Sequence, residues 1–155
     1  MKKILLAGAL AIGAAPAFAD STVHVFLWDA MSSMDMTDTH KIEDHANRLE
    51  DAMGIAASAT AIPAGPVTFV VTNTASDAAH EMVVSKLSAP DATLPYDPAA
   101  MRVDETAAGS VGEVAELAPG ATGTLSVALE PGTYALYCNV PGHYAAGMWT
   151  LVTVE

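Results

Sequence analysis

Residues 119–154 read PGATGTLSVALEPGTYALYCNVPGHYAAGMWTLVTV. Three Pro-Gly pairs divide this stretch, and each predicts a turn because proline fixes φ while glycine accepts conformations that other residues resist. Several of the segments between the pairs alternate apolar and polar residues with the period of a β-strand. The stretch therefore predicts strands over Thr124–Leu129, Thr133–Cys138 and Trp149–Val154.

Shorter patterns of the same kind lie upstream. They predict strands over Thr22–Trp28, Ala59–Ile62, Val67–Thr72, Glu81–Ser85 and Val111–Leu117. Many short strands with Pro-Gly turns between them are typical of an all-β domain, either an antiparallel β-sandwich or a barrel.

Two segments depart from this pattern. Thr39–Met53 places its apolar residues on one stripe of a helix, with Thr39 as its cap and Gly54 as its stop, so it predicts one short helix inserted near the N-terminus. Ser88–Ala108 contains three prolines and few apolar residues, and it predicts a long excursion over the surface.

Composition limits the possible functions. The chain has 155 residues, enough for one domain, and its 6 Lys and Arg against 18 Asp and Glu leave no basic patch for nucleic acid. Its single cysteine forms neither an internal disulfide nor a four-thiolate zinc site.

The N-terminus predicts export. Lys2 and Lys3 precede an apolar run, and Ala17-Phe18-Ala19 is a small-x-small cleavage site, so residues 1–19 are expected to be a signal peptide. The run is too short to anchor the chain in a membrane. Removal of the two lysines takes the formal net charge from −12 to −14. We expect a periplasmic domain over residues 20–155, of which 20–58 comprise the first strand, a Met-rich segment and the helix.

The stretch from Cys138 to Met148 holds three metal-binding side chains. Cys138 closes a strand, His143 follows the Pro-Gly turn, and Met148 opens the last strand. Thiolate and thioether are soft donors that favour copper(I), and imidazole serves both copper oxidation states. Two histidines, one cysteine and a weak axial methionine define a blue-copper site. His80 is the best candidate for the second imidazole, because it starts a strand after a loop.

Two other interpretations of Cys138 compete with copper. A lone cysteine is often a small core residue, and a cysteine beside a histidine is sometimes a nucleophile. The Cys-x4-His-x4-Met spacing with its flanking glycines favours copper, and no Asp or Asn stands out as the orienting group of a nucleophile.

The segment Tyr134–Met148 resembles the signature of the cupredoxin family, most closely in the Cys-x3-Gly-His form of its rusticyanin and auracyanin branch. The resemblance extends over Pro63–Asn73, His80 and Pro119–Val154. It implies a Greek-key β-sandwich with one type 1 copper, held by His80, Cys138 and His143 with Met148 as the axial ligand.

Two positions depart from common family patterns. Glu81 stands where the plastocyanin and azurin families usually place an asparagine that braces the ligand loop, and Trp149-Thr150 replaces a frequent x-Gly. Both changes bear on the groups around the ligands and the reduction potential, and neither removes a ligand.

The predicted function is transfer of single electrons by a monomeric carrier. By resemblance, His143 passes electrons through an apolar patch to a docked redox protein, such as a basic cytochrome or a terminal oxidoreductase, steered by the excess of carboxylates. We expect no enzymatic activity, because copper enzymes with similar domains use further histidines and Cys138 is flanked by Tyr137 and Asn139.

A second cluster predicts an alternative function. Soft donors and imidazoles lie close together at Met31, Met34, Met36, His40 and His45. Such a run would bind an additional copper(I) ion and favour a role in copper tolerance. The alternative interpretation is that Met34 or Met36 fills the core beneath the predicted helix and that His40 and His45 are solvated residues of that helix. Copper bound per chain, before and after the three methionines are changed to alanine, distinguishes the two.

Overall fold

The computed structural model describes residues 20–29 and 53–155. Their regular structure consists of eleven β-strands, in chain order β1 Ser21–Asp29, β2 Met53–Ala57, β3 Ala61–Ile62, β4 Gly65–Asn73, β5 His80–Lys86, β6 Tyr96–Asp97, β7 Arg102–Val103, β8 Ser110–Leu117, β9 Thr122–Leu129, β10 Gly132–Tyr137 and β11 Trp149–Val154. These ranges include no helix, and hence none with the length and hydropathy of a membrane span. The predicted signal peptide lies outside them.

The strands form two main sheets. One has the order β2-β1-β4-β9, the other β3-β11-β10-β5-β8, and β6 pairs with β7 in a small hairpin. Apolar residues from both main sheets form one buried cluster, in which Val25 and Phe69 of the first sheet join Leu136 and Val152 of the second. The predicted all-β sandwich is therefore confirmed, because each sheet buries one face against the other.

Two strand pairings are parallel, whereas the turns predict antiparallel ones. β1 pairs with β4 and β3 pairs with β11 in the parallel sense. Parallel pairing needs a crossover connection. The chain provides one here, since β3 lies in the second sheet before β4 returns to the first.

The inserted helix is not borne out. Residues 39–52 lie outside the described ranges, and Met53 and Gly54, the predicted last turn and stop, belong to β2, which pairs with β1. Gly54 lies opposite Trp28, and a Cβ at Gly54 would come within 2.6 Å of the Trp28 ring. Gly54 therefore leaves room for the Trp28 ring to lie against β2. In the sequence alone, a glycine at this position looks the same as one that ends a helix.

The predicted excursion over 88–108 runs along the outer face of the second sheet and packs against it. Leu94, Val103 and Ala108 are buried there together with Val83 and Tyr137 of the sheet. Strand β5 is consequently covered on both faces, and every residue from His80 to Ser85 is buried. The 88–108 segment and the outer face of the second sheet thus form a second small core.

Candidate metal centre

The loop between β10 and β11 carries three of the four predicted ligands. The two strands pair up to Tyr137 and Trp149, and the Cys138 amide donates a hydrogen bond to the Met148 carbonyl at 3.0 Å. Cys138 and Met148 therefore lie side by side at the base of the loop, and both are fully buried. The sequence separates them by ten residues, but the strand pairing makes them neighbours.

Hydrogen bonds within the loop turn His143 back toward this base. The His143 amide donates to the Val140 carbonyl, and the Met148 amide donates to the His143 carbonyl, both at 3.0 Å. Gly142 has φ +87° and Gly147 has φ +92°, a region that side chains with a Cβ rarely adopt. The Pro-Gly turn predicted from the sequence is confirmed, and the two glycines allow a loop this short to fold on itself.

His80 reaches the same point from β5, the strand beside β10. Its Nδ1 lies 3.2 Å from Nδ1 of His143 and 3.9 Å from Sγ of Cys138, and the third distance, from Sγ to Nδ1 of His143, is 3.3 Å. In the described part of the chain, these three residues form the one group of His, Cys, Asp and Glu donors suited to a metal ion. The structure thus brings His80, rather than His24 on β1, to the cysteine.

The donor triangle has the size that a metal ion requires. A point equidistant from the three atoms lies about 2.0 Å from each, close to the lengths of metal–imidazole and metal–thiolate bonds. Two imidazoles, one cysteine sulfur and the buried methionine Met148, whose backbone is bonded to Cys138, supply the kinds of donor found in a blue-copper site. The residues present therefore fit a copper ion.

Burial controls protonation at this centre. Desolvation raises the pKa of the Cys138 thiol to about 11, although N–H groups of Glu81 and Val140 at the sulfur act in the opposite direction. Burial lowers the pKa of His80 and, likewise, that of His143 below the ordinary 6.5. The metal-free protein at neutral pH thus offers two imidazoles that are ready to bind and one thiol that must first lose its proton.

Copper binding is therefore expected to strengthen by about tenfold from pH 7 to pH 8, with about one proton released per ion, because Cys138 binds as the thiolate. Chelator competition and calorimetry in two buffers measure this effect, and an affinity independent of pH would contradict it.

The two histidines also make stability depend on pH. Below pH 6.5 the unfolded chain binds protons on His80 and His143 that the folded chain does not. The free energy of unfolding of the metal-free protein is therefore expected to fall as the pH drops through this range.

Asn73, at the end of β4, braces the loop that leads to His80. Its amide donates to the carbonyls of Ala78 and Leu117, both at 2.8 Å, and its Oδ1 accepts from the Ala75 amide at 3.0 Å. The side chain is fully buried, so these bonds fix the loop against the end of β8. Asn73 therefore fixes the loop that leads to His80.

Asn139, directly after the cysteine, ties the ligand loop to the excursion. Its Oδ1 accepts from the Val103 amide at 2.7 Å, and its Nδ2 donates to the Val103 carbonyl at 3.0 Å and to Glu105 at 2.7 Å. A further bond joins the Gly142 amide to the Met101 carbonyl at 2.8 Å. The 88–108 segment therefore holds the ligand loop from outside.

Glu81 contributes to the centre through its backbone. Its amide lies 3.5 Å from Sγ of Cys138 and donates to the sulfur, a bond that any residue except proline would make at this position. Burial raises the pKa of its carboxyl. The departure from the family pattern at this position therefore leaves the bond to the cysteine in place.

The second predicted cluster lies outside the described residues. This applies to Met31, Met34, Met36, His40 and His45, so the additional copper(I) site stays a prediction.

Comparisons with known proteins agree with this centre. A family model described as copper binding proteins, plastocyanin/azurin family, matches residues 42–155. No curated protein sequence matches the chain.

Solved structures of a rusticyanin and of auracyanin B have the same fold. A rusticyanin from Thiobacillus ferrooxidans aligns at 18% identity with a TM-score of 0.55, over 89% of this chain and 80% of its own. Auracyanin B aligns at 20% identity with a TM-score of 0.54, over 92% and 93%. A reduced auracyanin from Roseiflexus castenholzii is 29% identical over 64% of this chain and 87% of its own, with a TM-score of 0.47.

A β-sandwich in which two imidazoles and one cysteine sulfur converge at a single point defines the cupredoxin class. Because the family model covers most of the chain, this protein belongs to the copper-binding plastocyanin/azurin family. The resemblance seen in the sequence is confirmed, and the cofactor is one type 1 copper.

Proposed function

We propose that this protein is a periplasmic carrier of single electrons whose type 1 copper is held by His80, Cys138 and His143, with Met148 as the axial ligand. The observation that carries the proposal is the triangle of Nδ1, Nδ1 and Sγ atoms with edges of 3.2, 3.3 and 3.9 Å. The export location is supported by the signal-like N-terminus of the sequence.

Bound copper supplies a one-electron couple between Cu(II) and Cu(I). The chain would keep the donor atoms in nearly fixed positions during that change, because Asn73 binds the loop before His80 and Asn139, next to Cys138, binds Val103 of the 88–108 segment. Close-packed strands resist displacement as well. Little nuclear movement then accompanies the change of charge, which is what makes electron transfer fast.

Exposure differs among the proposed ligands, and the difference favours His143 as the single exit for the electron. His80, Cys138 and Met148 are fully buried, whereas His143 is half-buried on a loop whose Pro141, Ala145 and Ala146 are exposed. Water is thereby kept from the sulfur, while the His143 edge is the part of the centre nearest to a docked protein. A small apolar surface around it imposes little cost on docking and undocking.

The acidic composition supports a basic redox partner, and we propose no catalytic role for the chain. With 18 Asp and Glu, its field attracts cationic surfaces and speeds their encounter at low salt.

The test is reduction of a basic c-type cytochrome by the copper(I) protein in stopped flow. We expect one electron per chain and a rate that falls steeply with ionic strength. Ala145→Lys beside His143 is expected to slow the reaction at least about tenfold through like charge at the docking surface. Ala128→Lys, the same change at an exposed site on β9, is the control. Equal rates for the two variants would contradict the proposed exit.

A further inference from the structure

Asp29 closes β1 and places a carboxylate behind the first histidine. Its side chain is only 10% exposed, and its Oδ2 lies 3.8 Å from Nε2 of His80, whose side chain is completely buried. Among the described residues, Nε2 of His80 has no hydrogen-bond partner within normal distance. The carboxylate is therefore the charged acceptor next to a buried ring nitrogen that needs one.

The orientation of the His80 ring gives this proximity a chemical meaning. Nδ1 is the nitrogen that faces Cys138 and His143, so Nε2 points away from the centre. A neutral imidazole carries its proton on one nitrogen and a lone pair on the other. A carboxylate beside Nε2 favours the proton there and leaves the lone pair on Nδ1, where the metal binds.

The Asp29 carboxylate also affects the relative stability of the two copper oxidation states. With one thiolate and two neutral imidazoles, the Cu(II) form carries one net positive charge and the Cu(I) form carries none. A fixed negative charge therefore stabilises the oxidised form selectively, and burial strengthens the effect because little water screens it.

We propose that Asp29 is a positioning residue that fixes the Nε2–H tautomer of His80 and lowers the reduction potential of the copper. This inference rests on the proposed ligand set. It assigns a role to a residue on a different strand, in the opposite sheet from the one that carries His80.

The test compares one substitution that removes the charge of Asp29 with one that keeps it. Asp29→Asn removes the charge and keeps an acceptor oxygen, and Asp29→Glu keeps the charge. We expect Asp29→Asn to lower the Cu(II)/Cu(I) ratio roughly tenfold at a fixed ambient potential, which is about 59 mV for one electron. Asp29→Glu is expected to stay within about twofold of the parent ratio. Glu130→Gln, at a carboxylate that is 86% exposed, is the control and is expected to change nothing.

A purely structural role predicts a different result. If Asp29→Asn and Asp29→Glu shift the potential equally, or neither shifts it, the inference is wrong. The metal-free protein supplies a second measurement, since nitrogen chemical shifts report the His80 tautomer. We expect the Nε2–H form in the parent protein and a mixture in Asp29→Ala, and an unchanged tautomer in that variant would refute the positioning role. A parent protein without the blue-copper spectrum would instead refute the ligand set.

Discussion

Copper-treated Cys138→Ser protein is expected to lack the intense visible absorption of the Cu(II) form and to bind copper more than about a hundredfold more weakly. The absorption arises from charge transfer between a thiolate and copper, and serine offers only a neutral, hard hydroxyl. Sγ is also one corner of the donor triangle, so its loss leaves two imidazoles and a weak thioether. Absorption spectra and metal analysis after dialysis measure both effects.

The fold of this variant is expected to survive. The serine side chain is slightly smaller than cysteine, and its oxygen accepts from the Glu81 amide that now donates to the sulfur. A matched pair of histidine changes is the control: His80→Asn is expected to lose the colour, and His24→Asn, exposed on β1, to keep it. A Cys138→Ser protein that folds and stays blue would overturn the ligand assignment.

Strands whose one face is buried could be predicted from the sequence, because their alternation is a local signal. β1 and β4 bury alternate residues as the pattern indicates. The metal centre could also be predicted from the sequence. Three of its residues lie within residues 138–148, and their donor chemistry is specific. His80 could be predicted because it opens a strand directly after a loop.

The groups that hold the ligands could not be found in this way. Asn139 bonds Val103, which is 36 residues earlier, and Asp29 meets His80 across the sandwich. An asparagine after a cysteine is unremarkable until its partners are known, because its effect depends on a contact between distant segments. β2 was missed for a related reason, since the role of Gly54 depends on the Trp28 ring opposite.

Asn139→Ala tests whether the 88–108 segment holds the ligand loop. The change leaves the amide and carbonyl of Val103 without partners in a buried place, where Asn139 is 2% and Val103 is 4% exposed. Each unsatisfied buried group costs about 1–3 kcal/mol, so we expect the free energy of unfolding to fall by roughly 2–4 kcal/mol. Denaturant unfolding of the metal-free protein measures the loss.

The same variant is expected to loosen the segment locally. Hydrogen exchange at the Val103 amide, which bonds Asn139, and at the Gly142 amide, which bonds Met101, is expected to speed up before global unfolding. Thr68→Ala removes an exposed bond to Ser126 and is expected to cost at most about 1 kcal/mol without changing either amide. Equal destabilisation by both variants, with exchange at Gly142 unchanged, would show that the ligand loop keeps its shape without the segment. A selective effect at Gly142 would instead mean that the excursion acts on the copper centre through the backbone of the loop that carries His143.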